Sequence, residues 1–288
     1  MIIDVHNHPD WHGHNLDKFI ANMDRYGIAV TWLLSWECRD DEYDPSYNHV
    51  VPAGEGGPIP FSRVISYVER APTRFIPGYC PDPRRPDAID RLKAGVEIYG
   101  VRVCGELKLR MCYDDPDALR MYRYCGKAGL PVTVHIDYEF ETGRAYPRPN
   151  WWYGGGFDAF ERAVRACPDT VFLGHAPGFW AHISGDDKAT SAAYPEGEVL
   201  PGGKLPALLR QCSNLWCDIS AGSGRNAFAR DKRFALDFIS EFQDRILYGR
   251  DWFDDAHQEL LRELELGTAV LDKIYSGNAL RLVPLASI

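Results

Sequence analysis

Short apolar, β-branched segments alternate with segments of helical periodicity along the whole chain, and this alternation is the strongest constraint on its fold. Eight strand-like segments occur, and each is followed by a helix-like segment. They are predicted at residues 2–6, 28–35, 74–80, 101–109, 131–137, 170–176, 214–220 and 245–251. Apolar strands that are each followed by a helix require parallel pairing, with both faces of the sheet covered. The alternation therefore predicts an α/β fold built on parallel strands.

Eight strand–helix units in 288 residues match a (β/α)8 TIM barrel better than an open doubly wound sheet. An open nucleotide-binding sheet would carry a glycine-rich phosphate loop after its first strand, whereas this chain has HNHPDW there. No stretch resembles an interdomain linker, so residues 1–288 are predicted to form a single barrel domain. Long inserts at residues 36–60, 137–156 and 176–203 are expected to form loops on the catalytic face.

Composition and charge exclude several classes of protein. The formal net charge of −9 and the lack of long basic stretches argue against binding to nucleic acid or to membrane surfaces. No apolar run approaches the roughly 20 residues of a membrane span, and the start MIID lacks the regions of a signal peptide. Eight scattered cysteines, with no C-x-x-C pair, indicate reduced core thiols. We expect a cytoplasmic protein with a small-molecule partner, and a homo-oligomer stays open.

Polar side chains fall at the carboxyl ends of the predicted strands, which is where a (β/α)8 barrel carries its functional residues. The residues at these positions are His6, His8, Glu106, His135, His175 and Asp251. Burying several such groups at one rim is costly unless they have a common partner. A divalent cation is the simplest such partner, so the sequence predicts a metal site.

The segment IIDVHNHPDWHGH contains two His-x-His pairs, and only one of them is placed to bind metal. His6 and His8 are two residues apart on an extended strand, so their side chains share one face and can both point into the barrel. His12 and His14 follow a proline in a loop where nothing fixes their geometry. We therefore interpret His6 and His8 as the ligand pair, and His12 and His14 as solvated loop residues that could contact substrate.

Each candidate residue also has a structural explanation when it is taken singly. An isolated buried histidine such as His135 or His175 is usually a hydrogen-bonded core residue. Asp251 could cap a helix, and Glu106 could pair with Lys108 on the same strand face. Only their joint occurrence at strand ends favours the metal site over these alternatives.

The segments DVHNH, VTVHID, FLGHAPG and ILYGRDW together resemble the amidohydrolase superfamily, and within it the amidohydrolase-2 group of metal-dependent TIM-barrel hydrolases. The resemblance extends from residue 2 to about residue 283. It implies that His6, His8, His135 and Asp251 are metal ligands. It also implies that His175 is either a ligand of a second metal or a catalytic histidine that polarises the substrate.

Strand four, CGELKL, resembles the strand that carries a bridging glutamate in TatD-like binuclear hydrolases. This second resemblance implies that Glu106 contacts the metal. Other two-metal members bridge with a carboxylated lysine, and Lys108 would then be the bridging residue. Whether the site holds one or two metals stays open at this point.

Three imidazole nitrogens and a carboxylate suit Zn²⁺, with Mn²⁺ and Fe²⁺ as alternatives. In the chemistry that the resemblance implies, Asp251 takes a proton from an attacking water and returns it to the leaving group, while His175 stabilises the oxyanion. We predict hydrolysis of an amide, lactone or ester bond. Nonoxidative decarboxylation and TatD-like phosphoester hydrolysis are the alternatives, and intact ligands at four strand ends disfavour a non-catalytic barrel.

Arginines near strand ends or in rim loops are the candidates for binding an acidic substrate. Arg102, Arg110, Arg144 and Arg148 have such positions, and Arg110 and Arg148 are preferred. Arg250 directly precedes the final aspartate and should therefore point away from the barrel axis.

Aromatic residues of the second and third inserts are candidates for stacking on a planar or sugar ring. The candidates are Trp151, Trp152 and Tyr153 in the second insert and Trp180 in the third, and Trp152 is preferred. Anchoring of a long loop or of a subunit contact explains these residues equally well.

Overall fold

The computed structural model describes residues 1–39, 42, 58–138 and 154–285. Within these residues, eight parallel strands occur, one inside each predicted strand segment or extending it by a residue. They are β1 (Ile2–Asn7), β2 (Ile28–Leu34), β3 (Phe75–Gly78), β4 (Cys104–Leu107), β5 (Val132–His135), β6 (Phe172–His175), β7 (Leu215–Asp218) and β8 (Ile246–Leu247).

Helices connect the strands and surround them. They are α1 (Leu16–Arg25), α2 (Phe61–Arg70), α3 (Ala88–Tyr99), α4 (Pro116–Ala128), α5 (Gly156–Ala166), α6 (Pro177–Trp180), α7 (Lys204–Gln211), α8 (Ala221–Ala229), α9 (Lys232–Phe242), α10 (Ala256–Glu263), α11 (Thr268–Asp272) and α12 (Asn278–Leu282). Among the described residues, no helix is both long and apolar enough to span a membrane.

Local sequence signals explain where several helices begin and end. The side chain of Asn15 accepts a hydrogen bond from Lys18 N and caps α1. Helix α4 begins at Pro116, where a missing N–H is tolerated, and ends at Gly129, whose φ of +67° is left-handed. The sequence did not predict α8, because AGSGRNAFA contains small residues and two glycines that are poor helix formers.

The two sheets join into one closed barrel. Strands β1–β3 and β4–β8 are each paired in chain order. A parallel bridge between Gly78 and Val103 joins β3 to the start of β4. The Val5 N–H donates to Tyr248 O over 3.0 Å and joins the segment after β8 to β1. The predicted (β/α)8 TIM barrel is therefore confirmed.

Two clusters of buried apolar side chains form the core. The larger one packs the helices onto the outside of the barrel. The smaller one consists mainly of strand residues, among them Val5, Trp32, Leu173 and Leu247, and fills the barrel interior. The interior is thus a packed core, and polar chemistry is confined to its carboxyl-terminal end.

The long inserts are described to different extents. Most of insert 36–60 and of insert 137–156 lies outside the described residues, so their predicted roles stay predictions. Hydrogen bonds join insert 176–203 to the end of α8, where Arg230 lies. The guanidinium of Arg230 donates to two residues of the insert, to Asp186 Oδ2 over 2.8 Å and to Gly197 O over 2.8 Å.

Glu37 lies just after β2, and its largely buried position in the folded protein disfavours the charged form of its carboxyl group. Burial raises the pKa of its carboxyl from 4.5 to about 7, although Tyr79 Oη lies 3.5 Å from Glu37 Oε2. As the pH rises from 4.5 to 7, the unfolded chain loses this proton first, so the native state loses stability over that window. We expect Glu37→Gln to raise the free energy of unfolding at pH 8 by about 1–3 kcal/mol and to change it little at pH 4.5. Urea titrations at both pH values measure this difference, and an equal effect at both would contradict it.

Candidate metal centre

The barrel brings all six predicted strand-end residues together at its carboxyl-terminal end. Donor atoms form three triads there, and within each triad the atoms lie within 4.8 Å of one another. One triad comprises His6, His175 and Asp218, and the other two together contain all six predicted residues. Of these two, the first triad comprises His6, His8 and Asp251, and the second triad comprises Glu106, His135 and His175. Residues contributed by β1, β4, β5, β6 and the segment after β8 thus converge as the sequence predicts, while their roles as ligands stay a proposal.

The carboxylate of Glu106 lies between the first and second triads. Its Oε1 is 2.7 Å from His135 Nδ1 and 3.8 Å from both His6 Nε2 and His175 Nε2. Its Oε2 is 3.4 Å from His8 Nε2. Since Glu106 is only 3% exposed and faces all four imidazoles, it is the shared anion of the cluster.

Hydrogen bonds to the outer ring nitrogens fix the orientation of the histidines. His6 Nδ1 lies 2.7 Å from Asp218 Oδ2, and His8 Nδ1 lies 2.9 Å from Leu34 O. Each bond leaves the Nε2 atom directed into the cluster. A histidine that donates its far N–H to a carboxylate or carbonyl has the arrangement found in protein metal sites.

His175 is held in the same way by a hydroxyl group. Its Nδ1 lies 2.9 Å from Ser220 Oγ, and its Nε2 lies 3.8 Å from Asp251 Oδ2. Because a serine hydroxyl can donate or accept, Ser220 is compatible with His175 as a neutral hydrogen-bond donor or as a metal ligand.

Three buried nitrogen and oxygen atoms of the cluster that could bind a metal lack a hydrogen-bond partner in the part of the chain that the structure describes. They are His6 Nε2, His175 Nε2 and Asp251 Oδ1. Unpaired buried polar atoms are costly, and a cation bound by this cluster would remove that cost for the atoms that hold it. Imidazole nitrogens with carboxylate oxygens suit Zn²⁺, Mn²⁺ or Fe²⁺. The residues present therefore fit a divalent cation.

The pKa values in the cluster show how strongly the carboxylates attract positive charge. Burial alone would lower the pKa of His6, but the charge and hydrogen bond of Asp218, aided by Asp251 and Glu106, raise it to about 10. Burial likewise acts to raise the pKa of Glu106, but the charge and hydrogen bond of His135 hold it well below its usual range. Without metal, the cluster therefore retains a proton that a divalent cation would replace.

The pKa values of His175 and Asp251 shift in opposite directions, and both shifts favour the neutral form of the side chain. Burial, followed by the charge of His6, lowers the pKa of His175 well below its ordinary value. Burial raises the pKa of Asp251. Both shifts express the cost of placing further charges in a crowded, buried cluster.

The sequence analysis missed Asp218 and Ser220. Asp218 is the last residue of β7 and is fully buried, with its carboxylate against His6. The signal was available, since NLWCDIS places an ionisable residue at a strand end, as the other five strands with predicted site residues do.

The candidate arginines have different outcomes. Arg250 points away from the site, as predicted, and its Nε donates to Asp4 Oδ2 over 2.8 Å. Arg102 was a wrong candidate, because it precedes β4 and donates to Pro284 O, at the opposite end of the barrel. Arg110 follows β4, and its backbone N–H donates to Glu42 Oε2 over 3.1 Å. Its substrate contact stays a prediction.

The remaining arginine candidates, Arg144 and Arg148, lie outside the described residues, as do Trp151, Trp152 and Tyr153. The prediction that Trp180 stacks on a substrate ring is wrong. Its side chain is buried, and its Nε1 donates to Asp218 O over 3.0 Å. Lys108 Nζ lies 4.7 Å from the centroid of the Trp36 ring, a cation–π contact that gives the amine a role other than bridging metals.

A cavity of about 350 Å³ adjoins the cluster and is bordered by Asp251. Loops after β1, β7 and β8 form its walls, with Trp11, His12, Arg225 and Trp252 among the lining residues. The rings of His12 and Trp252 are 3.8 Å apart, and Trp252 is 43% exposed. The sequence analysis missed Arg225, because it lies on the unpredicted helix α8.

The protein is thus a closed (β/α)8 barrel that carries a candidate metal centre of histidines and carboxylates at the carboxyl ends of its strands. The model of the amidohydrolase family, Amidohydro_2, matches residues 3–285, and the chain belongs to this family. No curated protein sequence matches it.

Solved structures resemble the chain over nearly its full length. The 5-carboxyvanillate decarboxylase of Sphingomonas paucimobilis is 13% identical, with 99% of each chain covered and a TM-score of 0.63. A dihydroxybenzoic acid decarboxylase of Polaromonas sp. JS666, with bound manganese, is 16% identical, covering 98% of this chain and 96% of that one, at 0.58. A probable 2-pyrone-4,6-dicarboxylic acid hydrolase of Acinetobacter baumannii is 11% identical, covering 98% of each, at 0.59. At these identities the likeness establishes the fold.

Proposed function

We propose that this protein is a metal-dependent hydrolase that cleaves an amide, lactone or ester bond in a small-molecule substrate. The observation that carries the proposal is that two unpartnered imidazole nitrogens, His6 Nε2 and His175 Nε2, both lie 3.8 Å from the buried carboxylate of Glu106. Membership in the amidohydrolase family supports it.

His6, His8, His135 and Asp251 would hold the cation, with Glu106 as the shared anion. When bound, a divalent cation polarises a carbonyl oxygen and acidifies water. Zn²⁺ is our first choice, and Mn²⁺, present in one solved structure of the same fold, and Fe²⁺ are the alternatives.

Two side chains of the cluster would move or stabilise charge during hydrolysis. Asp251 belongs to the first triad and also lines the cavity. Its carboxylate can therefore accept the proton of the attacking water and pass it to the leaving group. His175, with Nδ1 accepting from the Ser220 hydroxyl, would keep its proton on Nε2 and donate it to the developing oxyanion.

A metal-reconstituted activity screen tests the proposal. Protein loaded with Zn²⁺, Mn²⁺ or Fe²⁺ is assayed against panels of lactones, amides, esters and aromatic acids, beside a metal-stripped sample. We expect hydrolysis that is lost on chelation and restored by metal. Absence of metal-dependent hydrolysis across the panel, together with release of CO₂ from an aromatic acid, would favour the second candidate.

That second candidate is a nonoxidative decarboxylase, and Arg225 is the observation that favours it. Arg225 lines the cavity together with Asp251, and among the described residues its side chain makes no hydrogen bond or ion pair. A cationic residue and the exposed indole of Trp252 in the wall of one cavity suit a planar substrate that bears a carboxylate. Two of the solved structures described above are named as decarboxylases.

We expect Arg225→Ala to raise KM for a carboxylate-bearing substrate by about 10- to 100-fold, since a hydrogen bond to a charged group is worth about 1.5–3 kcal/mol. The turnover number should change little, because the guanidinium binds the ground state and the transition state alike. Steady-state kinetics on a diacid and on the monomethyl ester of its non-reacting carboxylate measure the effect, which the ester should not show. Arg233→Ala, an exposed arginine on α9, is the matched control. An equal rise in KM for acid and ester would count against a carboxylate contact.

A further inference from the structure

The turn that carries Asp251 has a backbone conformation that an aspartate seldom adopts. Asp251 has a φ of +49°, in the left-handed region that favours glycine. Such strain persists only where surrounding contacts hold it, and it is frequent at functional sites.

Every backbone carbonyl of residues 251–253 is held by a side chain from the β1–α1 region. The bonds are Trp11 Nε1 to Asp251 O at 3.1 Å, Asn7 Nδ2 to Trp252 O at 2.8 Å and Asn22 Nδ2 to Phe253 O at 2.7 Å. The Asp251 N–H also donates to His6 O over 2.8 Å. The turn is therefore attached to the same strand that supplies His6 and His8.

One buried carboxylate connects the two ligand-bearing segments directly. Asp4 Oδ1 accepts from Arg250 N at 2.9 Å and from His6 N at 3.3 Å. Asp4 Oδ2 accepts from Arg250 Nε at 2.8 Å and from Asn7 Nδ2 at 3.4 Å. Arg250 Nη1 continues the connection to Asn22 Oδ1 at 2.8 Å. Asp4 and Arg250 are both 0% exposed.

Stability alone does not account for this ion pair. Burying two charges costs desolvation free energy, and well-packed apolar residues of similar volume often stabilise a protein as well or better. What an apolar pair would lack is the directional bonding to the N–H groups of His6 and Arg250. Each of these groups belongs to, or directly precedes, a residue of the first triad.

We infer that Asp4 is a positioning residue of the metal centre, which sets the placement of Asp251 relative to His6 and His8 through its bonds to β1 and to Arg250. This inference rests on the proposed function, because it presupposes that the first triad binds a cation. Asp4 itself lies outside the triad and does not contact the cation or the substrate.

The test is the affinity of the purified protein for Zn²⁺, measured by competition with a chromophoric chelator. We expect Asp4→Asn to weaken Zn²⁺ binding by about 10- to 100-fold, the usual effect of losing a partner that orients metal ligands. We also expect the visible spectrum of the Co²⁺-loaded variant to differ from that of the wild type, because ligand geometry changes.

Asp186→Asn is the matched control. Asp186 forms a similarly buried ion pair with Arg230, with side chains 7% and 2% exposed, in the loop that follows β6. Its loss should lower stability in urea without changing Zn²⁺ affinity. Asn22→Ala is a milder second variant for the case in which Asp4→Asn does not fold, and we expect it to weaken Zn²⁺ binding by a smaller factor.

The outcomes separate the inference from the proposed function. Wild-type protein that binds no Zn²⁺ would overturn the proposed function and this inference with it. Wild-type protein that binds Zn²⁺, with Asp4→Asn and Asn22→Ala destabilised but unchanged in affinity and Co²⁺ spectrum, would overturn the inference alone.

Discussion

Replacing His6 with alanine is expected to remove bound metal and nearly all activity. His6 contributes an unpartnered Nε2 to the cluster, and Asp218 holds its ring in place. A cation contributes several kcal/mol to transition-state stabilisation, which corresponds to a loss on the order of 10³-fold in turnover. Elemental analysis of protein purified without chelator measures the metal, and the metal-dependent assay measures the rate.

Stability provides an independent readout of the same variant. A ligand that binds only the native state stabilises it by about 4 kcal/mol at 1,000 times its Kd. We expect added Zn²⁺ to stabilise the wild type in this way and to leave His6→Ala unaffected. His14→Ala is the matched control, because His14 stacks on Phe253 at a ring distance of 3.6 Å, outside the cluster. Retention of full metal content by His6→Ala would contradict the proposed metal centre.

Replacing Glu106 with glutamine is expected to weaken metal binding by 100-fold or more, beyond the 10- to 100-fold effect of losing an outer-shell partner. Of the residues proposed to hold the cation, His6, His8 and His135 would remain, and Asp251 would be the remaining carboxylate. The substitution keeps the size of the side chain and removes its charge. Glu42→Gln serves as a control, since Glu42 is a buried carboxylate paired with Arg84, away from the cluster.

The metal count in Glu106→Gln decides between one and two cations. A wild type with two equivalents that falls to one or none would indicate two cations joined by Glu106, and phosphate esters would then join the substrate screen. A wild type with one equivalent that falls to none would indicate a single cation. Unchanged occupancy would show that Glu106 is not a ligand and acts only on His135, to which it is hydrogen bonded at 2.7 Å.

The architecture was readable from the sequence because it is encoded locally. Strand-like and helix-like periods alternate eight times, and each period depends on residues only a few positions apart. The rule that a barrel gathers the carboxyl ends of its strands then located His6, Glu106 and Asp251 together, although no local motif links them. Helix α8 was missed because small residues and glycines give a weak helical signal.

The contacts that orient the candidate site were not readable in this way. Asp218 bonds to His6 across 212 positions of sequence, and Arg250 bonds to Asp4 across 246. Which side chains meet at such separations depends on the closure of the barrel and on the register of neighbouring strands. Trp180 illustrates the same limit, since its position in a long insert does not reveal that it is buried against Asp218.

The sequence by itself thus determined the barrel, the His6–His8 pair and the rim on which the polar residues lie, because hydrophobic period and strand ends are properties of short segments. Tertiary structure alone decided that Glu106 lies between two triads, that Asp218 and Ser220 orient the histidines, and that Asp4 joins β1 to the Asp251 turn. Those relations are hydrogen bonds between distant segments, and they exist only once the strands have closed into one ring.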